Sequence, residues 1–381
     1  MQLALYLHIP FCLKKCAYCA FNSRPLPAGS AGADLVRRYL RALAEELCLA
    51  ASFLGKVTLG SIYFGGGTPT LLEAPDLIQI LEQSARYFTW SPAIEISLEA
   101  NPGTVSLPKL QALRDAGVNR ISMGAQSFTG EELQLLGRTH GVEEIYTAYR
   151  DARAAGFENI NLDLIYGVPG QTAGTWRKNL EQALDLTPEH LSVYGLSLEE
   201  GTPLAEAVAA GELESCGEAE QVALWEITAE LLAAAGYERY EIANFARSGR
   251  MCRHNLVYWE NLPYLGLGAG AHGFLGKVRY ANHADVATYL DGVAQGKLPR
   301  AWEEDQTPEQ ERTDTIIMGL RLSRGLPLRA FRERFGVAFT EVYSSQLEHL
   351  VRAELIEVND TAVFLTAKGR LLANSVLAHF I

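Results

Sequence analysis

Cysteine is scarce in this 381-residue sequence, six in all, and positive charge is in deficit, with 33 Lys and Arg against 45 Asp and Glu and a formal net charge of −12. Three of the six cysteines fall between Cys12 and Cys19. They are therefore not the evenly spread framework of a small secreted domain, and a reducing, cytoplasmic setting is expected. The acid excess speaks against a phosphate-binding face as the main function, because nucleic-acid domains carry a basic stripe. No window approaches the roughly 20 apolar residues that span a bilayer. No basic segment leads into an apolar run from Met1 to Phe11, so neither a transmembrane segment nor a targeting leader is expected. With 48% apolar and 20% charged residues the chain lies in the globular range. Its length predicts about two or three domains.

What is present is an alternation of short apolar, β-branched runs with longer segments of helical period, the signature of parallel strands joined by helices. The runs are Leu3 to Ile9, Val57 to Phe64, Ile94 to Glu99, Asn119 to Gly124, Asn159 to Ile165 and Leu191 to Leu198. Each precedes a helical stretch, giving six βα units. Beyond them the pattern predicts a helix over Glu218 to Ala235, a strand over Tyr237 to Ile242 and a polar, aromatic-rich loop from Asn244 to Pro263. From Pro308 the order is three helices, an extended stretch from Ile356 to Leu365 and a last helix, which suggests a winged-helix-like module. That module holds nine Lys and Arg against nine Asp and Glu, so DNA binding is disfavoured. The expected domains are 1–236, 237–307 and 308–381.

Cys12, Cys16 and Cys19 form C-x3-C-x2-C directly after the first run. Three thiolates on one tight loop can hold three irons of a [4Fe-4S] cluster and leave the fourth iron open. The alternative is a structural zinc site with His8 as fourth ligand, but zinc ligands come as two separated pairs and no second pair is present. Further motifs follow the ends of the predicted strands, where βα barrels carry their sites. They are Gly65-Gly66-Gly67-Thr68-Pro69, Glu99, Gln126 with Arg138 after it, and Asp163. Any one could be a plain turn or a satisfied polar group, but together on one rim they are site-like.

The cysteine motif resembles the signature of the radical S-adenosylmethionine (SAM) superfamily. In that family the open iron chelates SAM, and reductive cleavage yields a 5'-deoxyadenosyl radical. The full set of motifs is similar to the HemN/HemW branch, which comprises oxygen-independent coproporphyrinogen III dehydrogenases and haem chaperones. The resemblance implies an α/β fold, a partial (β/α)6 TIM-like barrel with a C-terminal, mainly helical module. It also implies SAM contacts from Tyr6, Tyr18, Gly66, Gly67, Thr68, Glu99, Gln126, Arg138 and Asp163. The dehydrogenase motif continues with a fourth cysteine where this chain has Phe21. Only 11 residues precede Cys12, short of the dehydrogenase's N-terminal extension.

Arg253-His254-Asn255-Leu256-Val257-Tyr258-Trp259 matches the HNxxYW motif that the chaperone branch associates with haem. An imidazole can ligate iron and broad aromatic faces can pack on a porphyrin, while Arg253 could meet a propionate. Read without the family, His254 and Asn255 are loop hydrogen-bonders and Tyr258 and Trp259 core aromatics. Cys252 is a second candidate iron ligand. Gly266 to Ala271 fits G-x-G-x-x-A only superficially, without a βαβ unit or an acidic ribose partner, and reads as a close-packed glycine strand beside His272. Glu241 and Asn244 are cavity-lining, solvent-facing or capping, Cys48 reads as a small buried hydrophobe within a helical pattern, and Cys216 as an incidental loop thiol. The expected function is a cytoplasmic haem chaperone carrying a [4Fe-4S] cluster and SAM. Its expected partners are haem and acceptor haemoproteins such as respiratory-chain components, with no nucleic acid; a homodimer is one assembly this reading admits. The alternatives are a coproporphyrinogen III dehydrogenase and, from another class, an Fe-S-dependent DNA-binding regulator.

Overall fold

In the six predicted βα units, apolar residues alternate with polar ones, so each strand offers one face to the helices and one to the interior of a curved sheet. The computed structural model, which describes residues 2–381, places β1 (Gln2–Ile9), β2 (Thr58–Gly66), β3 (Thr89–Ala100), β4 (Arg120–Gln126), β5 (Ile160–Tyr166) and β6 (His190–Gly195) side by side, in chain order and parallel. The crossovers contain α1 (Gly29–Leu54), α2 (Ala74–Tyr87), α3 (Leu107–Asp115), α4 (Val142–Ala154) and α5 (Ala173–Asp185), with α6 (Glu218–Ala234) after β6. Leu5, Leu7, Ile62, Phe64, Leu98, Ile121, Leu162, Leu164 and Val193 are buried and belong to one core with Leu43 and Leu47 of α1 and Leu180 of α5. Each such side chain contributes about 1.5–3 kcal/mol when fully buried.

The segment expected as a loop from Asn244 to Pro263 is structured. It forms β7 (Asn244–Ala246), antiparallel to β6, and the helix α7 (Arg253–Trp259). A seven-residue helix is too short for periodicity to show. Its first turn is closed by Glu95 of β3, which accepts from the backbone of Arg253 (2.9 Å) and His254 (3.0 Å). A cap from 158 residues away leaves no local signal. The strand expected over Tyr237 to Ile242 shrinks to Glu238–Arg239 at the sheet edge.

On the other side β8 (Tyr264–Leu267) adds to β1 in parallel, followed antiparallel by β9 (His272–Leu275), β10 (Val278–Asn282) and β11 (Arg300–Asp305). This makes a 12-stranded sheet whose two end strands do not pair with each other among the described residues, an open arc rather than a closed barrel. The turn between β8 and β9 is held by Glu46 of α1. This fully buried carboxylate accepts from Gly268 N (2.8 Å), Asn282 Nδ2 (2.6 Å) and Tyr289 Oη (2.8 Å). Gly268 has φ +100, and a Cβ there would lie 2.6 Å from the His8 carbonyl oxygen. Only glycine brings this turn against β1.

The C-terminal residues form a separate small core of Ile316, Leu320, Phe331, Phe339, Leu350, Val363 and Val376. It includes α8 (Pro308–Gly319), α9 (Leu328–Phe335), α10 (Ser344–Arg352) and a hairpin of Ile356–Val358 with Ala362–Leu365. It docks beside α7: Asn261 Nδ2 donates to Thr315 Oγ1 (2.9 Å) and Arg279 pairs with Asp314 (2.8 Å). No helix of the described residues is long and apolar enough to cross a membrane.

Glu46→Ala would strand three buried donors and is expected to cost about 3–5 kcal/mol. The check is a lowered midpoint of the first thermal unfolding transition, followed by circular dichroism.

Candidate functional site

The cysteine loop is fastened mainly by its backbone. Phe11–Cys12 pairs with Arg24–Pro25 across its base. Its middle is held by Ala17 N to Leu136 O (3.0 Å) and Leu204 N to Ala17 O (2.9 Å). At its end, Asn22 Nδ2 donates to the carbonyls of Ala269 and Ala284, both at 3.0 Å. Arg138 donates to Gly124 O (2.8 Å) and to Cys16 Sγ (3.3 Å), tying the loop to β4. His8 Nδ1 meets Tyr6 Oη (3.0 Å) and His8 Nε2 meets Asn22 O (2.8 Å). His8 has both ring nitrogens hydrogen-bonded and lines the neighbouring cleft rather than the cavity of the three cysteines, which disfavours it as a fourth metal ligand.

The glycine run after β2 passes close beneath this loop. Gly67 N donates to Ile9 O and Thr68 N to Phe11 O, both at 2.8 Å. A Cβ on Gly67 would lie 2.6 Å from the Phe11 carbonyl oxygen and 3.0 Å from Cys12 Sγ, and Gly66, at φ +114, would meet the His8 ring at 2.6 Å. Side chains here would push the turn away from the thiols. On β4 the register shifts between Met123 and Gln126, and Gln126 has φ +66. A non-glycine residue in that region is strained; here the bulge re-aims its side chain at the end of the strand.

A cavity of about 470 Å³ is lined by Cys12, Cys16 and Cys19 together with Tyr18, Gly66, Gly67, Thr68, Glu99, Gln126, Arg138 and Asp163. Tyr6 faces instead a neighbouring cleft of about 550 Å³, which also touches Gly66 and Glu99. Asn255 reaches the first cavity and Tyr258 the second, whereas His254 and Trp259 line neither. His254 is fully buried, with Nδ1 on Ser61 Oγ (2.9 Å), Nε2 on Tyr258 Oη (2.8 Å) and its ring stacked on Tyr63. Trp259 lies outside, beneath the Arg321 guanidinium. Cys252 is buried with its Sγ 3.5 Å from Glu95, and burial pushes its thiol up to about 12. Arg253 donates to Ala93 O and is drawn to Glu95.

Sequence reading overlooked the polar layer between floor and rim: Tyr63, Arg120, Ser122, Ser192 and Tyr194 all line the first cavity. The available signal was period two, as in Arg120, Ser122, Gly124 and Gln126, where alternate positions of one strand carry polar or absent side chains. Glu99 accepts from Tyr63 Oη (2.9 Å) and Gly66 N (3.1 Å). Burial first, and the Asp163 charge second, raise its pKa to about 7. Asp163 is likewise raised by burial, opposed by hydrogen bonds such as Asn161 Nδ2 at 2.7 Å.

The donor set fits an iron-sulfur cluster with an open iron: three thiols line one cavity wall and no fourth thiol or free imidazole stands among them. The buried, unpartnered Nε of Arg138 in the same cavity fits a polar ligand beside it.

Residues 6–183 match the radical SAM superfamily and residues 306–372 the HemN C-terminal domain. Full-length relatives are the heme chaperone HemW of Bacillus subtilis (strain 168), 37% identical over 99% of this chain and 98% of that protein, and HemW of Escherichia coli (strain K12), 34% identical over 100% and 98%. This chain belongs to the HemW family of radical SAM proteins. Its fold is that of coproporphyrinogen III oxidase (HemN) from Escherichia coli, with a TM-score of 0.85, 26% identity and coverage of 99% of this chain and 89% of that one. Membership implies a [4Fe-4S] cluster and SAM.

Because its folded pKa of about 7 exceeds the ordinary 4.5, Glu99 binds a proton in the native state that the unfolded chain releases. Its contribution is therefore favourable at low pH and lost as pH rises from about 4.5 to about 7. Glu99→Gln should flatten the fall of stability with pH across that window. Asp163→Asn should move the protonated-carboxyl infrared band of Glu99 to a lower titration midpoint in cofactor-free protein; an unmoved midpoint contradicts the assigned cause.

Proposed function

We propose that this protein is a cytoplasmic haem chaperone, taking up haem and passing it to acceptor haemoproteins such as respiratory-chain components. The observation that carries the reading is the meeting of three thiols and the strand-end residues in one cavity, in a chain whose full-length relatives are named heme chaperones. Cys12, Cys16 and Cys19 would hold the cluster. Tyr6, Tyr18, Gly66, Gly67, Thr68, Glu99, Gln126, Arg138 and Asp163 would hold SAM, with residues 1–236 as the SAM-binding unit, 237–307 as the haem-motif unit and 308–381 as the C-terminal module. When bound, the cluster supplies a reducing electron and an open iron for SAM. The chain's own part is placement: the loop orients the thiols, the glycine turn approaches without side chains, and the strand-end acids face the ligand.

For haem, the motif residues His254, Asn255, Tyr258 and Trp259 are the proposed contacts. Burial and the Arg120 charge lower the His254 pKa to about 3, so the ring is neutral at physiological pH, the state that ligates iron. Cys252 is held as a thiol bonded to Glu95, which disfavours it as a ligand. Ligation by His254 Nε2 requires exchange of its Tyr258 hydrogen bond. The likeness to HemN favours a second reading, coproporphyrinogen III dehydrogenase. Against it stands Phe21, 70% exposed, in place of a fourth cysteine.

Anaerobic reconstitution followed by parallel assays separates the two. The expected result is stoichiometric haem uptake without coproporphyrinogen turnover, and a fall of about tenfold or more in haem affinity for His254→Ala at unchanged iron and sulfide content. Undiminished uptake by that variant removes the His254 assignment, and turnover of coproporphyrinogen favours the dehydrogenase.

A further inference from the structure

Arg120 opens β4 from inside the sheet. It is 1% exposed and lines the same cavity as the three cysteines, and its Nε is buried without a hydrogen-bond partner. No ion pair closes on it among the described residues, and each carboxylate nearby accepts from other donors. Glu95 serves Arg253 N, His254 N and Cys252 Sγ; Glu99 serves Tyr63 Oη and Gly66 N; Asp163 serves Asn161 Nδ2 and Ser122 Oγ. Their charges stabilise the guanidinium at a distance, and its Nε–H is left without an acceptor. A buried guanidinium is strongly unfavourable unless an acceptor completes it, and its planar fork matches a carboxylate bidentately.

Register fixes the depth. Arg120 lies opposite Ser97 and Ser122 opposite Glu99, so Arg120 stands one inward-facing position below the rim, about 7 Å along the strand. At the mouth Leu13 and Phe21 line the cavity and are 55% and 70% exposed, beside the exposed Lys14 and Glu199. Apolar side chains at the mouth above a buried guanidinium that makes no ion pair suit a ligand with an apolar body and a carboxylate arm. Glu99, titrating near neutrality, can take up a proton as that arm arrives.

We propose that Arg120 is a carboxylate-recognition site, binding one propionate of the tetrapyrrole; the choice of tetrapyrrole rests on the haem reading above. Arg253, the propionate partner suggested by sequence, is occupied by Ala93 O and Glu95. The alternative source of the carboxylate is the amino-acid end of SAM.

The test compares haem with haem dimethyl ester on the wild-type holoprotein, Arg120→Lys and Arg120→Met, with SAM affinity measured alongside by equilibrium dialysis. Wild type is expected to bind haem about tenfold to a hundredfold more tightly than the ester, as a charge-assisted hydrogen bond allows. Arg120→Met should erase that preference while its SAM affinity stays, and Arg120→Lys should keep part of it. Equal binding of haem and ester by the wild type overturns the proposal whether or not the variants fold. So does loss of SAM affinity in Arg120→Met with the preference intact, which assigns the residue to SAM. Failure of the wild type to take up either compound overturns the haem reading itself.

Discussion

The inner face of the sheet is polar, and a polar group shut away from water must find a partner. That requirement organises the molecule from floor to mouth. His190 Nδ1 meets Asn161 Oδ1 at 2.6 Å and its Nε2 meets Tyr240 Oη at 2.8 Å; Asn161 also serves Ser122 and Asp163. At the floor Glu95 closes α7 and His254 fills the space between Ser61 and Tyr258. Most barrels of this kind fill their interior with branched apolar side chains. Here much of the interior is a chain of polar contacts, and Arg120 Nε and Ser97 Oγ opposite it are left without partners.

The same economy explains why the cysteines can be given over to a ligand. The loop that carries them is held mainly by backbone hydrogen bonds and by Asn22, with Arg138 reaching the Cys16 sulfur. A structural metal site works the other way, with the ligands themselves holding the fold. The glycines at 66 and 67 belong to this design: they let β2 end directly under Cys12, so that one cavity collects residues from the loop and from five strands.

How far this was legible in sequence depends on the range of the interaction. The six βα units were legible because burial on one strand face and along one helix stripe leaves a local period. The strand-end residues were legible because topology alone brings the ends of parallel strands to one rim. The helix α7 was not: its capping carboxylate comes from β3, and seven residues hold barely two turns. The parallel pairing of β8 with β1 was equally hidden, since it depends on Glu46 and a glycine turn rather than on the strand's four residues. Arg120 was hidden by ordinariness, one basic residue at the start of a strand, until the carboxylates around it were seen to be engaged elsewhere.

The floor also links the cavity to the C-terminal module. Tyr240, which bonds His190 inside the sheet, accepts at its carbonyl from Ser323 N (2.9 Å), and Asn261, two residues past α7 with φ +49, is held by Thr315 and Arg279. Both ends of the segment bearing the histidine motif are thus fixed by groups outside it, Glu95 at the start and the module at the end. A seven-residue helix has too little internal hydrogen bonding to persist on its own. Its position is set by what holds its ends, and the module that docks there is a structural part of the cavity floor, not an appendage to the sheet.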